Sequence, residues 1–402
     1  MESTQGSKIW TKEFVVNFII NFLVFLCMYL LMVVMARYTI QTFDTTDSIG
    51  GLVAGLFVIG SLLGRFMTGR FVDNVGPRKL LVVGSILLLI TQALYFVEGS
   101  LMLLIIVRIL NGMATAVVTT ATGAVAGYLT PENRKGEGIA MFGLSLIVGA
   151  AIGPFFGLYL SEHYPMEVIF TLCIVIGVIS FASVFFLNVE FPQAEQPVHA
   201  THQKFSIHKY FAVEAVPVGI VTLLIAVGYS SLLSFIQFFA TENHFESISS
   251  YYFIVYAIAA LVTRPIAGQL MDEYNENVVN IPAFISFALS LFLLGITQNP
   301  IAFFVSAILA GIGYGNLAST LQAVAVKVVP FHKIGLATAT FFIGLDVGLG
   351  FGPFVLGMFT AKIGFANIYI CMGVLLVLTL IFYYFVHGKR MKNIYGKQLS
   401  QH

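Results

Sequence analysis

Between Phe14 and His387 the chain passes through twelve apolar runs, each roughly 18 to 29 residues long and divided by short polar breaks. We place them at 14–36, 50–69, 80–97, 101–126, 138–159, 165–188, 212–240, 249–270, 278–297, 300–325, 335–360 and 364–387. A helix needs about 20 apolar residues to cross a bilayer core. In lipid only helices and closed barrels satisfy every backbone polar group. The runs show no alternation of period two, which excludes the barrel. Only 10% of residues are charged, where a soluble chain carries roughly 25%. The chain therefore reads as an all-α polytopic membrane protein. Its first run is too long for a signal-peptide core of about 7–15 residues, and no A-x-A site follows. It is expected to remain as the first span.

Lys and Arg fix the orientation, because cytoplasmic loops carry the excess of them. With the N-terminus inside, fifteen of the twenty fall on the inner side, from Lys8 and Lys12 through Arg78, Lys79, Arg134 and Lys135 to Lys397. Only Lys362 and the span-end residue Arg37 fall outside, and Arg65, Arg108 and Arg264 lie within or at the ends of spans. Both termini are expected in the cytoplasm, with the protein in the cell membrane. The net charge of +1 averages two opposite faces and says nothing about partners.

The stretch "RFMTGRFVD" at 65–73 is answered by "RPIAGQLMD" at 264–272. Arg65 and Arg264, Gly69 and Gly268, and Asp73 and Asp272 are each 199 positions apart. The same offset, without a gap, pairs Gly112 with Gly311, Pro131 with Pro330, Gly136 with Gly335, Gly149 with Gly348, Gly153 with Gly352 and Pro154 with Pro353. Fixed-offset self-similarity of punctuating residues marks an internal repeat. The expected domains are an N-terminal half (1–187), a cytoplasmic linker (188–210), a C-terminal half (211–388) and a cytoplasmic tail (389–402). Parallel repeats of six spans are typical of secondary transporters, whose substrate site lies between them near the midplane.

Three motifs carry a family resemblance. "GRFVDNVGPRK" resembles the G-x-L-A-D-x-x-G-R-K loop between the second and third helices of the major facilitator superfamily. "IIVRILNGMATA" (105–116) resembles its fourth-helix R-x-x-Q-G motif, with Asn111 in place of Gln. "GAAIGPFFG" (149–157) is similar to the fifth-helix motif G-x-x-x-G-P-x-x-G of its proton-driven exporters. Asn74 and Pro77 depart from commonly basic positions, and Asn275 stands where the second loop would have glycine. The resemblance covers the whole chain. It implies twelve transmembrane helices as two homologous six-helix bundles around a central cavity, in the drug or metabolite:proton antiporter branch, working as a monomer.

The motifs also have physical readings. Asp73, at the cytoplasmic end of span two, is placed to cap span eleven near Gly335, because a helix N-terminus presents unpaired amides and a partial positive charge. Asp272 would cap span five near Gly136 in the same way. Arg65 and Arg264 would orient these carboxylates or touch headgroups. With Gly69, Gly76, Arg78 and Gly268 they would form a conformational latch. Gly149, Gly153, Pro154 and Gly157 put a kink and a small-residue stripe in span five.

Charges inside spans are costly and need a reason. Arg108 lies inside span four, with Asn111 and Thr115 on its helical face, and this polar stripe is expected to line the cavity. Asp346 lies near the middle of span eleven, with Asn316 at similar depth in span ten. Its symmetry mate is Ile147, so the carboxylate is not inherited with the repeat. It is the candidate for loading and releasing a proton. Asn21, Tyr229, Gln237, Tyr252 and Tyr256 complete the expected substrate cavity, with Asn17 as a further candidate. Cys27, Cys173 and Cys371 read as packing residues. The histidines of "HATHQKFSIH" (199–208) read as a solvated linker rather than a metal site.

Hydrolase and nucleotide-binding motifs are missing from the sequence, so an enzyme is not expected. The expected activity is proton-coupled efflux of a small amphipathic or hydrophobic compound by alternating access. It would use a proton gradient and no cofactor or metal, with the lipid bilayer and a small-molecule substrate as partners and no nucleic acid. An importer or symporter of a sugar or other metabolite, or a lipid flippase, is the alternative on the same scaffold.

Overall fold

In a computed structural model the described residues (8–45, 47–97, 99–188, 211–244, 246–249, 251–296 and 299–389) are helical almost throughout, with no strand among them. The first six long helices are α1 (Lys12–Phe43), α2 (Asp47–Val75), α3 (Pro77–Leu94), α4 (Leu101–Leu129), α5 (Lys135–His163) and α6 (Met166–Val184). They are followed by α7 (Val216–Glu242), a single turn at Glu246–Ser249, α8 (Tyr251–Glu273), α9 (Glu276–Ile296) and α10 (Pro300–Lys327). Two further spans, α11 (Phe331–Thr360) and α12 (Lys362–Gly388), follow, with a kink close to the start of the second. The break expected between them is present as a kink at Gly364, at φ 75° and ψ 164°. Glycine occupies that left-handed backbone without a Cβ clash. Among the described residues twelve helices are long and apolar enough to cross a membrane, as many as the apolar runs.

Polar residues between runs set the helix starts. Thr11 Oγ1 accepts from the Phe14 amide at 3.2 Å, and Asn299 Oδ1 accepts from the Ile301 amide at 2.8 Å, with Pro300 opening α10. These side chains satisfy amides that the helix itself leaves unpaired.

Two compact units are present: Met1–Phe211 with Pro330–Ala339, and Ala212–Val329 with Thr340–His402. Residues 330–339, assigned to the second half by the sequence division, group with the first. Within this segment the Phe331 ring lies 4.9 Å from that of Tyr128 and 5.8 Å from Lys135 Nζ. Residues 189–210 and 390–402, which hold the expected linker with its histidines and nearly all of the tail, lie outside the described residues.

In the first unit α2 and α3 pack on α4, α1 packs on α5, and α6 lies against α1 and α3. The second unit repeats the scheme, with α8 and α9 on α10. Without a hydrophobic drive between helices in lipid, close backbone approach at small residues supplies the contact. A Cβ on Gly60 would overlap the Ile109 carbonyl, and one on Gly112 the Phe57 carbonyl. Along α5, Gly149, Gly153 and Gly157 face the backbone of α1 from Phe25 to Leu30. In α11, Gly344, Gly348 and Gly352 do the same against α7 from Gly219 to Ser230. Of the cysteines, Cys27 and Cys173 are buried against one another's helices, whereas Cys371 is exposed on the surface rather than packed.

Candidate functional site

Most of the polar residues singled out in the first unit are engaged inside it. Arg108, 1% exposed, donates through Nε to the Val53 carbonyl (3.4 Å), through Nη2 to Ala54 (3.2 Å) and through Nη1 to the Tyr95 hydroxyl (3.3 Å). Its guanidinium also sits 5.0 Å from the centre of the Phe57 ring. Asn111 Nδ2 donates to Thr91 Oγ1 at 3.0 Å, and Thr115 Oγ1 donates to the Asn111 carbonyl at 2.9 Å. The stripe expected to line a cavity therefore faces α2 and α3. Neutral carbonyls and an aromatic face hold the Arg108 charge, contacts that reduce the cost of a cation buried in a span.

A second polar cluster joins α1, α4 and α5. Asn21 Nδ2 donates to Ser145 Oγ (2.7 Å), and Asn21 Oδ1 accepts from Thr122 Oγ1 (2.7 Å). Asn17 Nδ2 reaches the Thr122 carbonyl at 2.9 Å, leaving its buried Oδ1 without a partner.

Arg65 is also buried, which rules out the expected headgroup contact. Nη1 donates across the α2–α4 seam to the Ala116 carbonyl (3.1 Å), Thr119 Oγ1 (2.6 Å) and Thr120 Oγ1 (2.8 Å). Gly69 and Gly268 are buried and Arg78 is half-buried, while the side chain of Asp73 lies outside the described residues. Gly76 adopts φ 90° ahead of Pro77, which opens α3. At the matching place in the second unit, Asn275 Oδ1 accepts from the amides of Asn277 (2.9 Å) and Val278 (3.3 Å), capping α9. The glycine-to-asparagine departure is thus a change from a positive-φ turn to a side-chain cap. Asp272 Oδ1 accepts from Lys327 Nζ at 3.1 Å, and Lys327 also lies 3.5 Å from Glu276.

The second unit holds the other candidates. Arg264, 1% exposed, donates through Nε to the Gly315 carbonyl at 2.8 Å. Beside it, Asn316 Nδ2 donates to Thr263 Oγ1 (2.9 Å) and the Ile312 carbonyl (2.7 Å). Tyr229 stacks on Tyr314, with ring centres 3.9 Å apart and planes 8° apart, and lies 5.6 Å from Tyr256. Tyr252 is fully buried, its hydroxyl 3.2 Å from Ser306 Oγ. Asp346 is half-buried midway along α11. The side chain of Gln237 lies outside the described residues.

Several partners were not singled out from the sequence: Thr119 and Thr120 for Arg65, Tyr95 for Arg108, Ser145 and Thr122 for Asn21, Lys327 for Asp272, and Tyr314 for Tyr229. The run "VVTTATG" carried a signal for some of them, since two adjacent hydroxyls inside an apolar span need a polar neighbour. No group of three or more His, Cys, Asp or Glu placed to hold a metal occurs among the described residues.

Twelve spans in two repeated sets of six, with buried cations and amides held inside each unit, define a polytopic helical membrane transporter. The sequence matches the Major Facilitator Superfamily over residues 18–297 and 220–400, and the chain belongs to that family. The staphylopine export protein of Staphylococcus aureus is 23% identical over 84% of this chain and 86% of its own. The multidrug resistance protein MdtG of Dickeya zeae is 21% identical over 88% of each chain. The human organic anion transporter MFSD10 superposes with a TM-score of 0.78 at 14% identity, covering 92% of this chain and 99% of its own. That structural likeness bears on the fold alone. The protein is a transporter rather than an enzyme, and its substrate is a small molecule.

Proposed function

We propose that the protein exports a small amphipathic or hydrophobic compound in exchange for protons, by alternating access. The observation that carries this reading is Asp346, a carboxylate half-buried midway along an apolar span, where its repeat counterpart is Ile147. An ionisable side chain inside a span marks a proton or substrate pathway, and a ligand or proton held more tightly in one state than the other biases the conformations of a transporter. The fifth-helix motif and relatives named as multidrug resistance and staphylopine export proteins support the outward direction. In this reading the protein sits in the cell membrane with both termini in the cytoplasm. It works as a monomer and draws energy from the proton gradient, with no cofactor. Proton flux into proteoliposomes, compared between wild type and Asp346→Asn, tests it.

A further inference from the structure

The two repeats treat their matching arginines differently. Arg65 Nη1 meets one carbonyl and two threonine hydroxyls. Arg264, 199 positions on, keeps the equivalent carbonyl, since Gly315 corresponds to Ala116. The hydroxyls are not kept. Thr119 corresponds to Ala318, and Thr120 to Ser319, whose Oγ donates to the Asn316 carbonyl at 3.0 Å. Arg264 Nη1 is left buried without a hydrogen-bond partner. Asn316 Oδ1 is likewise buried and unpartnered.

The two side chains belong to one contact between α8 and α10. Arg264 reaches Gly315, while its neighbour Thr263 accepts from Asn316, so consecutive residues on α8 meet consecutive residues on α10. Thr263, next to Arg264 on α8, and Ala318, the counterpart of Thr119 on α10, are half-buried. Tyr256 and Tyr314 lie within electrostatic reach of it. A buried cation with one of its donors unpaired is unfavourable.

We infer that Arg264 and Asn316 form a binding site for an organic carboxylate that carries a hydrogen-bond donor next to its carboxyl group, such as a hydroxy or amino acid. The carboxylate oxygen accepts from Arg264 Nη1, and the neighbouring hydroxyl or ammonium donates to Asn316 Oδ1. This rests on the export reading and names a substrate class for it. The amphipathic compound carries an anionic head, with Tyr229, Tyr256 and Tyr314 alongside as aromatic surface.

The test is calorimetric binding to the purified full-length protein in lipid nanodiscs, with three probes. Salicylate has the carboxylate and the adjacent hydroxyl, benzoate lacks the hydroxyl, and salicylamide is neutral. Salicylate should bind at least tenfold more tightly than salicylamide, with benzoate between them. Arg264→Gln should weaken salicylate at least tenfold. Ala318→Thr, which restores the hydroxyl that Arg65 enjoys, should weaken it about tenfold while the protein stays monodisperse and equally helical. It therefore carries the test even where Arg264→Gln fails to fold. Equal affinity for the three probes, or salicylate binding unchanged in Ala318→Thr, would overturn the site and leave a buried water as the partner of Nη1. Proton flux driven by a lipophilic cation is read in parallel. Flux without carboxylate binding sinks this site but spares the export reading, whereas carboxylate binding without flux from any substrate does the reverse.

Discussion

Lys327 Nζ lies 3.1 Å from Asp272 Oδ1, tying the end of α10 to the end of α8, and its second acid, Glu276, opens α9. The pair is only 24% and 10% exposed. Lys327→Gln would remove the cation that both carboxylates contact in a partly dry setting. Losing one partner of a fully buried pair costs about 3–5 kcal/mol, and an exposed pair contributes under about 1. We expect about 1–3 kcal/mol here, read as a lower unfolding midpoint. Asp272→Asn combined with Lys327→Gln should cost less than the sum of the two single changes.

Gly153 offers a steric test. A Cβ there would lie 2.8 Å from Tyr29 Cβ and 3.1 Å from the Leu26 carbonyl. Gly153→Ala should destabilise by about 1–3 kcal/mol through overpacking. Gly357→Ala, where nothing lies within 4 Å, should change stability by less than about 0.5 kcal/mol. Thermal unfolding of the purified variants separates the two positions, and equal shifts would refute the close α1–α5 contact.

The Asn21–Thr122–Ser145 cluster predicts a polar penalty rather than a packing one. Thr122→Val is close in shape but strips Asn21 Oδ1 of its donor. Leaving a buried acceptor unsatisfied costs about 1–3 kcal/mol. Thr122→Ser, which keeps the hydroxyl, should recover most of that loss in the same unfolding assay.

Arg108 should behave as a brace for α2. Arg108→Leu leaves the Tyr95 hydroxyl and the carbonyls of Val53 and Ala54 without this donor. Hydrogen–deuterium exchange should rise at α2 and at the α3 end near Tyr95. Unchanged exchange there, with transport lost, would assign Arg108 to the substrate instead.

The helices were legible because lipid imposes one rule on every residue of a span, so Phe14–Ala36 announces itself without knowledge of its neighbours. The repeat was legible because backbone contact tolerates only small residues, which holds Gly112 and Gly311 in register. Partners across helices were not. Arg65 finds Thr119 and Thr120 54 and 55 positions away, a choice made by the α2–α4 crossing that no local pattern encodes. For the same reason the reading of Arg108 as a cavity residue missed the carbonyls of α2. The grouping of residues 330–339 with the first unit rests on contacts across helices, such as Phe331 on Tyr128, that no local pattern shows. Cys371 looked like Cys27 in sequence because an apolar span gives no sign of which face turns outward.

The most direct test of the account is proton flux in liposomes holding an internal pH dye, with wild type and Asp346→Asn compared under an imposed gradient and a panel of lipophilic cations, carboxylates and neutral metabolites. The account predicts substrate-dependent proton movement in wild type that is lost in Asp346→Asn, while substrate binding persists. Equal flux in both proteins would remove Asp346 from the coupling, and substrate exchange without any proton movement would contradict antiport itself.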